Sequence, residues 1–305
     1  MEEDQIKKEE MVEALTRSGY LIESRLLRIL SDKGYELYPN EVYPDPLTGK
    51  SREMDIYAVS YRTTNNLRLN RSLLIDIQHS FVIECINNPQ PVVFFKRGDK
   101  KKLTIFGRFL FNKIEQEVKE EEATDADFDF DMFTTKSKKF HYNQIDRCSQ
   151  YCSFTVKKNT SDKKKREWMA SHPDSLHDTF NKLYDFAKHK HETTNTWMNQ
   201  ARQYEVYLNM KYPLIVLQGD LYEASEEKGE LKLQKVNHMI FEFNKYDNNH
   251  SNLLIDIITE NYFEKYLEFV KNDMVHFKNL YTYFYKGKNL TKMYPPIKRK
   301  DGVVV

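Results

Sequence analysis

Residues 81–95 read FVIECINNPQPVVFF, two apolar runs hinged on a turn-forming NNPQ. Runs of this length, rich in Val, Ile and Phe and bounded by Asn and Pro, predict strands, so the core is expected to be a sheet. What an apolar strand does not ordinarily carry is Glu84, an acid in its interior. The chain is long enough to bury such a core, since 305 residues with 40% apolar and 13% aromatic content describe a globular protein of one large domain or two.

Around this segment the periodicity assigns the other elements. Leu15, Ile22, Leu26 and Ile29 form a helical stripe in the first 33 residues, which reads as one long helix or as two parted at Ser18-Gly19, with a stop at Gly34. YELYPNEVY, the turn PDPLTGKS and REMDIYAVSYR read as a hairpin. NRSLLIDIQH reads as a separate strand or short helix, SFVIECI, PVVFFK and LTIFGRFLFN as strands. A helical pattern covers about 173–209; PLIVLQGDLYEA, KLQKVNHMIFEFN and NLLIDIIT read as strands, and an aromatic-rich amphipathic helix closes the pattern at about 260–285. The domain expectation is a core over 1–114, an acidic insertion over 115–139, a second part of the same domain or a packed extension over 140–290, and a basic tail over 291–305.

Composition excludes several classes. No run reaches the roughly 18–20 apolar residues that cross a bilayer, and the first residues are charged where a secretory signal is apolar, so a cytoplasmic protein without a membrane partner is expected. Three cysteines, Cys85, Cys148 and Cys152, are too few for a disulfide framework. Neither GxxxxGK[ST] nor GxGxxG occurs, which removes the main support for nucleotide-dependent chemistry. The formal charge of +1 conceals segregation. KRGDKKK (96–102), KKNTSDKKKR (157–166) and KRK (298–300) are basic, and 115–131 holds nine acids against one lysine.

Three acids stand out by context. Side chains alternate along a strand, so Asp55 shares a face with Glu53 and Tyr57, and Glu84 shares one with Val82 and Ile86. If the two strands are neighbours, Asp55 and Glu84 converge, and converging carboxylates need a cation between them. Glu23 precedes Leu26, Leu27 and Leu30 by three, four and seven residues, which sets its carboxylate in the apolar stripe of its helix. An inward acid of this kind needs a basic partner or a metal. The alternative is three unrelated surface or salt-bridged acids.

In their order, the helix with Glu23, SREMDIYAV with Asp55 and FVIEC with Glu84 resemble the PD-(D/E)xK nuclease superfamily, and within it the Mrr-like enzymes that write IECK at the third element. The resemblance covers about residues 10–97. It implies an α/β (α+β) restriction-endonuclease-like fold, a mixed sheet flanked by helices, with extra strands and helices in the C-terminal half. It implies further a Mg²⁺- or Mn²⁺-dependent endonuclease of restriction or phage-defence type, acting on nucleic acid, foremost double-stranded DNA, as a homodimer or within a larger defence complex. Carried over by residue, Asp55, Glu84 and the backbone carbonyl of Cys85 bind one metal, Glu23 holds a second metal or its water, and Gln90 orients substrate or water.

The departure is Ile86, which stands where the family has its lysine. Three explanations compete. The chain is a disarmed nuclease, the favoured expectation; or the polar partner has migrated to Lys96, Lys50, Arg52, Asn87, Asn88 or Gln90; or the chain is a catalytically silent subunit that binds nucleic acid or protein. Other constellations are weaker. Cys148 and Cys152 with His172, His177, His189 and His191 fit no compact zinc framework, the two cysteines being spaced as inward residues of a helix. His79 is expected in a turn, and no histidine is placed to activate a cysteine nucleophile.

Overall fold

A computed structural model describes residues 6–18, 20–60, 67–68, 74–97, 111–115, 140–157, 167–200, 206–245 and 252–285. Two helices lead the chain, α1 (Lys8–Arg17) and α2 (Tyr20–Asp32), so the pattern is parted at Ser18 and is not one long helix. Ile22, Leu26 and Leu30 make the buried stripe of α2. Gly34, at φ +79°, takes the left-handed conformation that ends the helix, and the Tyr35 N–H returns to the Leu30 carbonyl at 3.1 Å.

The strands are β1 (Glu36–Pro44), β2 (Ser51–Val59), β3 (Leu67–Arg68), β4 (Leu74–Ile86), β5 (Val92–Lys96), β6 (Phe111–Glu115), β7 (Arg147–Lys157), β8 (Glu167–Ser171), β9 (Val206–Leu217), β10 (Leu221–Glu227), β11 (Glu230–Val236), β12 (His238–Asn244) and β13 (Asn252–Thr259). Helix α3 (Asp174–Gln200) joins β8 to β9, and α4 (Phe263–Tyr285) follows β13. The strands form one mixed sheet in the order β1-β2-β4-β9-β13-β12-β7-β5-β10-β11, with β3 beside β4, β6 beside β9 and β8 beside β7. The chain is therefore a mixed α+β fold built on a large mixed sheet.

The parallel pair β4–β9 is its spine, in register from Ile75 opposite Val206 to Ile86 opposite Leu217. A parallel pair of this length is buried on both faces, which is why both strands read as nearly continuous apolar runs. Phe81 meets Tyr35, Tyr212 and Tyr266 on the face covered by α2 and α4. The opposite face meets α3, where Tyr57 of β2, paired with Val82, packs edge-on against Phe186. Phe81, Val82 and Ile83 are fully buried, and each side chain of this kind contributes about 1.5–3 kcal/mol relative to exposure.

Several expectations change. NRSLLIDIQH and SFVIECI are not two elements: Leu74–Ile86 is a single strand that passes through Ser80, whose buried hydroxyl reaches Asn209 at 3.5 Å. His79 accordingly lies within β4, not in a turn. It is half-buried against the Tyr35 hydroxyl, with its pKa lowered to about 4 by desolvation. KLQKVNHMIFEFN splits at Asn237. Leu231 and Leu233 stay exposed on the edge strand β11, whereas Met239, Ile240, Phe241 and Phe243 are buried on β12 next to β13.

Cys148 and Cys152 lie on strand β7, not on a helix. Among the described residues no group of His, Cys, Asp or Glu forms a three-ligand metal cluster. Strand β9, from the second half, pairs directly with β4, so residues 1–114 and 140–290 share one sheet. Most of LTIFGRFLFN, most of both internal basic runs, the acidic segment from 116 and the basic tail lie outside the described residues. No described helix is long and apolar enough to cross a membrane.

Candidate functional site

The antiparallel ladder between β2 and β4 runs from Val59–Ser80 to Ile56–Ile83 and stops there. Beyond that point the two acids replace the missing backbone bonds. The Asp55 N–H donates to Glu84 Oε1 at 3.3 Å, and the Cys85 N–H donates to Asp55 Oδ2 at 2.8 Å. Each carboxylate satisfies a main-chain donor that the parting strands leave open. The side chains of Asp55 and Glu84 therefore do converge, at the C-terminal end of β4.

A third element completes the cluster. Lys182, on α3, places its ammonium 2.6 Å from Glu84 Oε1 and 3.4 Å from Asp55 Oδ1. This is the cation that the sequence left unassigned, and it is none of the six candidates named for it. Lys96 pairs with Asp146 and Glu223, and Arg52 with Asp45 and Asp185. Asn88 is held by Gly219, and Gln90 and Asn87 line a neighbouring cleft. Lys182 was legible only indirectly. It lies three residues after Thr179 and four before Phe186, on the inward flank of an amphipathic helix, the same argument that had singled out Glu23.

Electrostatics tie Glu23 to this group. Its pKa is raised by burial and by the like charge of Asp55, with Lys182 acting in the opposite direction. The carboxyl of Glu84 is pushed up to about 7, first by burial and then by Asp55, against the lowering effect of Lys182. For Lys182 burial acts downward, but Glu84 and Asp55 outweigh it and the pKa is raised, so the ammonium stays charged. Two carboxylates contact one ammonium and Glu23 feels the charge of both Asp55 and Lys182, so the four groups, fully ionised, carry a net charge of −2. That deficit, in a half-buried site, favours a further cation.

Asp55 and Glu84 alone do not make an all-protein metal cage. They do fit Mg²⁺, which commonly takes one or two carboxylates and completes its shell with water and substrate phosphate oxygens. Ile86, two residues along β4, is half-buried. It lines a cleft of about 460 Å³ together with Asn87, Gln90, Phe154, Leu176 and Thr179.

The loop that forms one wall of this cleft is fixed from outside. Asn88 donates through Nδ2 to the Gln90 carbonyl at 3.1 Å and accepts the Gly219 N–H on Oδ1 at 2.8 Å. A Cβ at position 219 would stand 2.2 Å from the Asn88 carbonyl oxygen and 2.7 Å from its amide nitrogen. Gly219→Ala is therefore expected to displace residues 87–90 and cost about 1–3 kcal/mol by chemical denaturation, the range for overpacking. An unchanged midpoint would mean that this contact does not hold the loop.

Against family models, curated proteins and solved structures alike, the chain returns no match.

Proposed function

We propose that this chain is a metal-dependent nucleic-acid phosphodiesterase of the PD-(D/E)xK type, in which Lys182 of α3 does the work of the lysine replaced by Ile86. The observation that carries the proposal is the salt bridge from Lys182 to both Glu84 and Asp55. Two acids on adjacent strands and a lysine beside them form the chemical set that phosphodiester hydrolysis requires, here drawn from three separate parts of the chain. The salt bridge supports the migrated-lysine explanation over the disarmed-nuclease one. The proposed substrate is double-stranded DNA, in a restriction or phage-defence setting.

In this reading Asp55, Glu84 and the Cys85 carbonyl would hold Mg²⁺ or Mn²⁺, and Glu23 would serve a second ion or its water. When bound, such an ion would supply Lewis acidity toward the scissile phosphate and a water of lowered pKa. The protein's own part follows from its charges. Lys182, kept protonated by its two acids, orients the attacking water and offsets the negative charge that grows on the phosphoryl oxygens as the new P–O bond forms and the P–O bond to the leaving sugar oxygen breaks. Glu84 and Asp55 fix the ammonium in place, and Gln90 faces the strand entering the cleft.

The test is cleavage of DNA and RNA substrates with Mg²⁺ or Mn²⁺, with Asp55→Ala as the matched control. Metal-dependent cutting that Asp55→Ala abolishes is the expected result. No cutting on any substrate would make the acid–lysine cluster a structural ion pair and favour the silent nucleic-acid-binding or protein-interaction subunit.

A further inference from the structure

The cleft beside the acid–lysine cluster has a different chemistry from the cluster itself. It is walled by Ile86, Val92, Phe154 and Leu176, and its polar lining consists of amides and hydroxyls such as those of Gln90 and Thr179, with no charged side chain among the described residues. Its volume of about 460 Å³ lies within the range of small-molecule sites. A cleft built to take phosphate would carry lysine or arginine; apolar walls with neutral amides and hydroxyls suit an uncharged ligand able to form hydrogen bonds.

Its position is equally specific. Ile86 follows Glu84 by two residues on β4 and so lies on the same face of the sheet. Thr179 precedes Lys182 by three residues on α3, one turn along the same flank. The cleft is thus one residue pair further along both elements that carry the acid and the ammonium. A polynucleotide whose phosphate sat at Glu84 and Lys182 would have its neighbouring base at the mouth of the cleft.

Among the described residues the side-chain amide of Gln90 makes no hydrogen bond of its own, unlike Asn88, whose two amide atoms are committed to the Gln90 carbonyl and the Gly219 N–H. An amide offers a donor and an acceptor together, the pairing that reads a base edge. Phe154, Leu176 and Ile86 supply apolar surface against the faces of a ring.

We infer that this cleft is a nucleobase pocket, which receives one unstacked base next to the scissile phosphate and reads it through Gln90. The inference rests on the phosphodiesterase reading for its neighbour and explains the departure at residue 86. Isoleucine provides the apolar floor of the pocket, and a lysine there would set a buried charge against the base. The substrate presented to the site is then a single strand, or a duplex from which one base has been turned out.

Nucleosides carry no phosphate, so they test the pocket without engaging the cluster. Saturation-transfer NMR on the full chain with the four deoxynucleosides and four ribonucleosides, at up to about 10 mM, is expected to give transfer to the base protons of at least one of them. Ribose 5-phosphate is expected to give less. Gln90→Ala, a loop substitution with little risk to folding, is expected to weaken the best nucleoside about fivefold, and Thr179→Phe, which fills the pocket, to abolish its signal. No transfer from any nucleoside, or transfer unchanged in both variants, would overturn the inference. Cleavage that persists while nucleosides fail to bind removes the base pocket and leaves the phosphodiesterase. Nucleoside binding without cleavage of any substrate does the reverse.

Discussion

For the proposed phosphodiesterase, Lys182→Met is expected to lower metal-dependent cleavage by about 10² to 10³-fold, the loss that follows removal of one preorganised charge-stabilising donor from a hydrolytic site. Methionine keeps the length and apolar stem of lysine and removes only the ammonium, so the packing of α3 on β2 and β4 is little changed. The fold is expected to tolerate it. Glu84, already held near pKa 7 beside Asp55, loses the charge that holds it down and takes up a proton at neutral pH. Urea denaturation of the variant close to the wild-type midpoint, alongside the loss of cutting, separates catalysis from stability. Ile86→Lys supplies the opposing test. If residue 86 disarmed the enzyme, restoring lysine would raise activity; with the ammonium already provided by α3, no gain is expected. Wild-type cutting by Lys182→Met would remove Lys182 from the chemistry.

The second large effect concerns stability. On the face away from α3, His141 is fully buried between two carboxylates, its Nδ1 against Asp273 and its Nε2 3.2 Å from Asp256 Oδ2. His238 and the Tyr266 hydroxyl complete the shell of Asp256, each at 2.7 Å. Burial alone would lower the pKa of His141, but Asp273 and Asp256 outweigh it and hold the imidazolium up to about 10. Asp256 is pressed well below the usual carboxylate range: desolvation pushes it up, and His141 and His238 reverse that. His141→Ala leaves two buried acids without their shared cation, and a cost of about 3–5 kcal/mol is expected by chemical denaturation.

This contribution has a pH signature. The folded pKa of His141 lies above its unfolded value of 6.5, so its stabilisation is complete below pH 6.5 and is lost as pH rises toward about 10. The gap in stability between wild type and His141→Ala is therefore expected to narrow across that window. The wild-type curve alone would not show it cleanly. Buried Lys211, with its pKa lowered to about 7, has the opposite slope there, since the cost of keeping it neutral fades as pH rises toward 10.5. The difference between the two proteins cancels Lys211. A gap constant from pH 6 to 10 would mean that His141 is neutral in the fold.

Local pattern was sufficient wherever one element answers to its own residues. The stop at Gly34, the β1–β2 hairpin and the strand character of the run holding Glu84 all follow from periodicity, turn chemistry and apolar runs that involve neighbours in sequence. The pairing of Asp55 with Glu84 was legible for the same reason, since alternation assigns each a face and only adjacency of the strands had to be supplied. Where the reading went astray, tertiary context was decisive. Asn237 separates β11 from β12 because one sequence run serves both an exposed edge and a buried interior, and the four-residue spacing of Cys148 and Cys152 is compatible with a helix or with one face of a strand.

Lys182 shows the limit most plainly. By itself the sequence determined that an acidic cluster needed a cation and that Ile86 could not provide it. Which of 47 basic residues would do so depended on α3 crossing β2 and β4 at one particular turn, because a charge in a half-buried site is satisfied by whatever the fold brings within about 4 Å, at any separation along the chain.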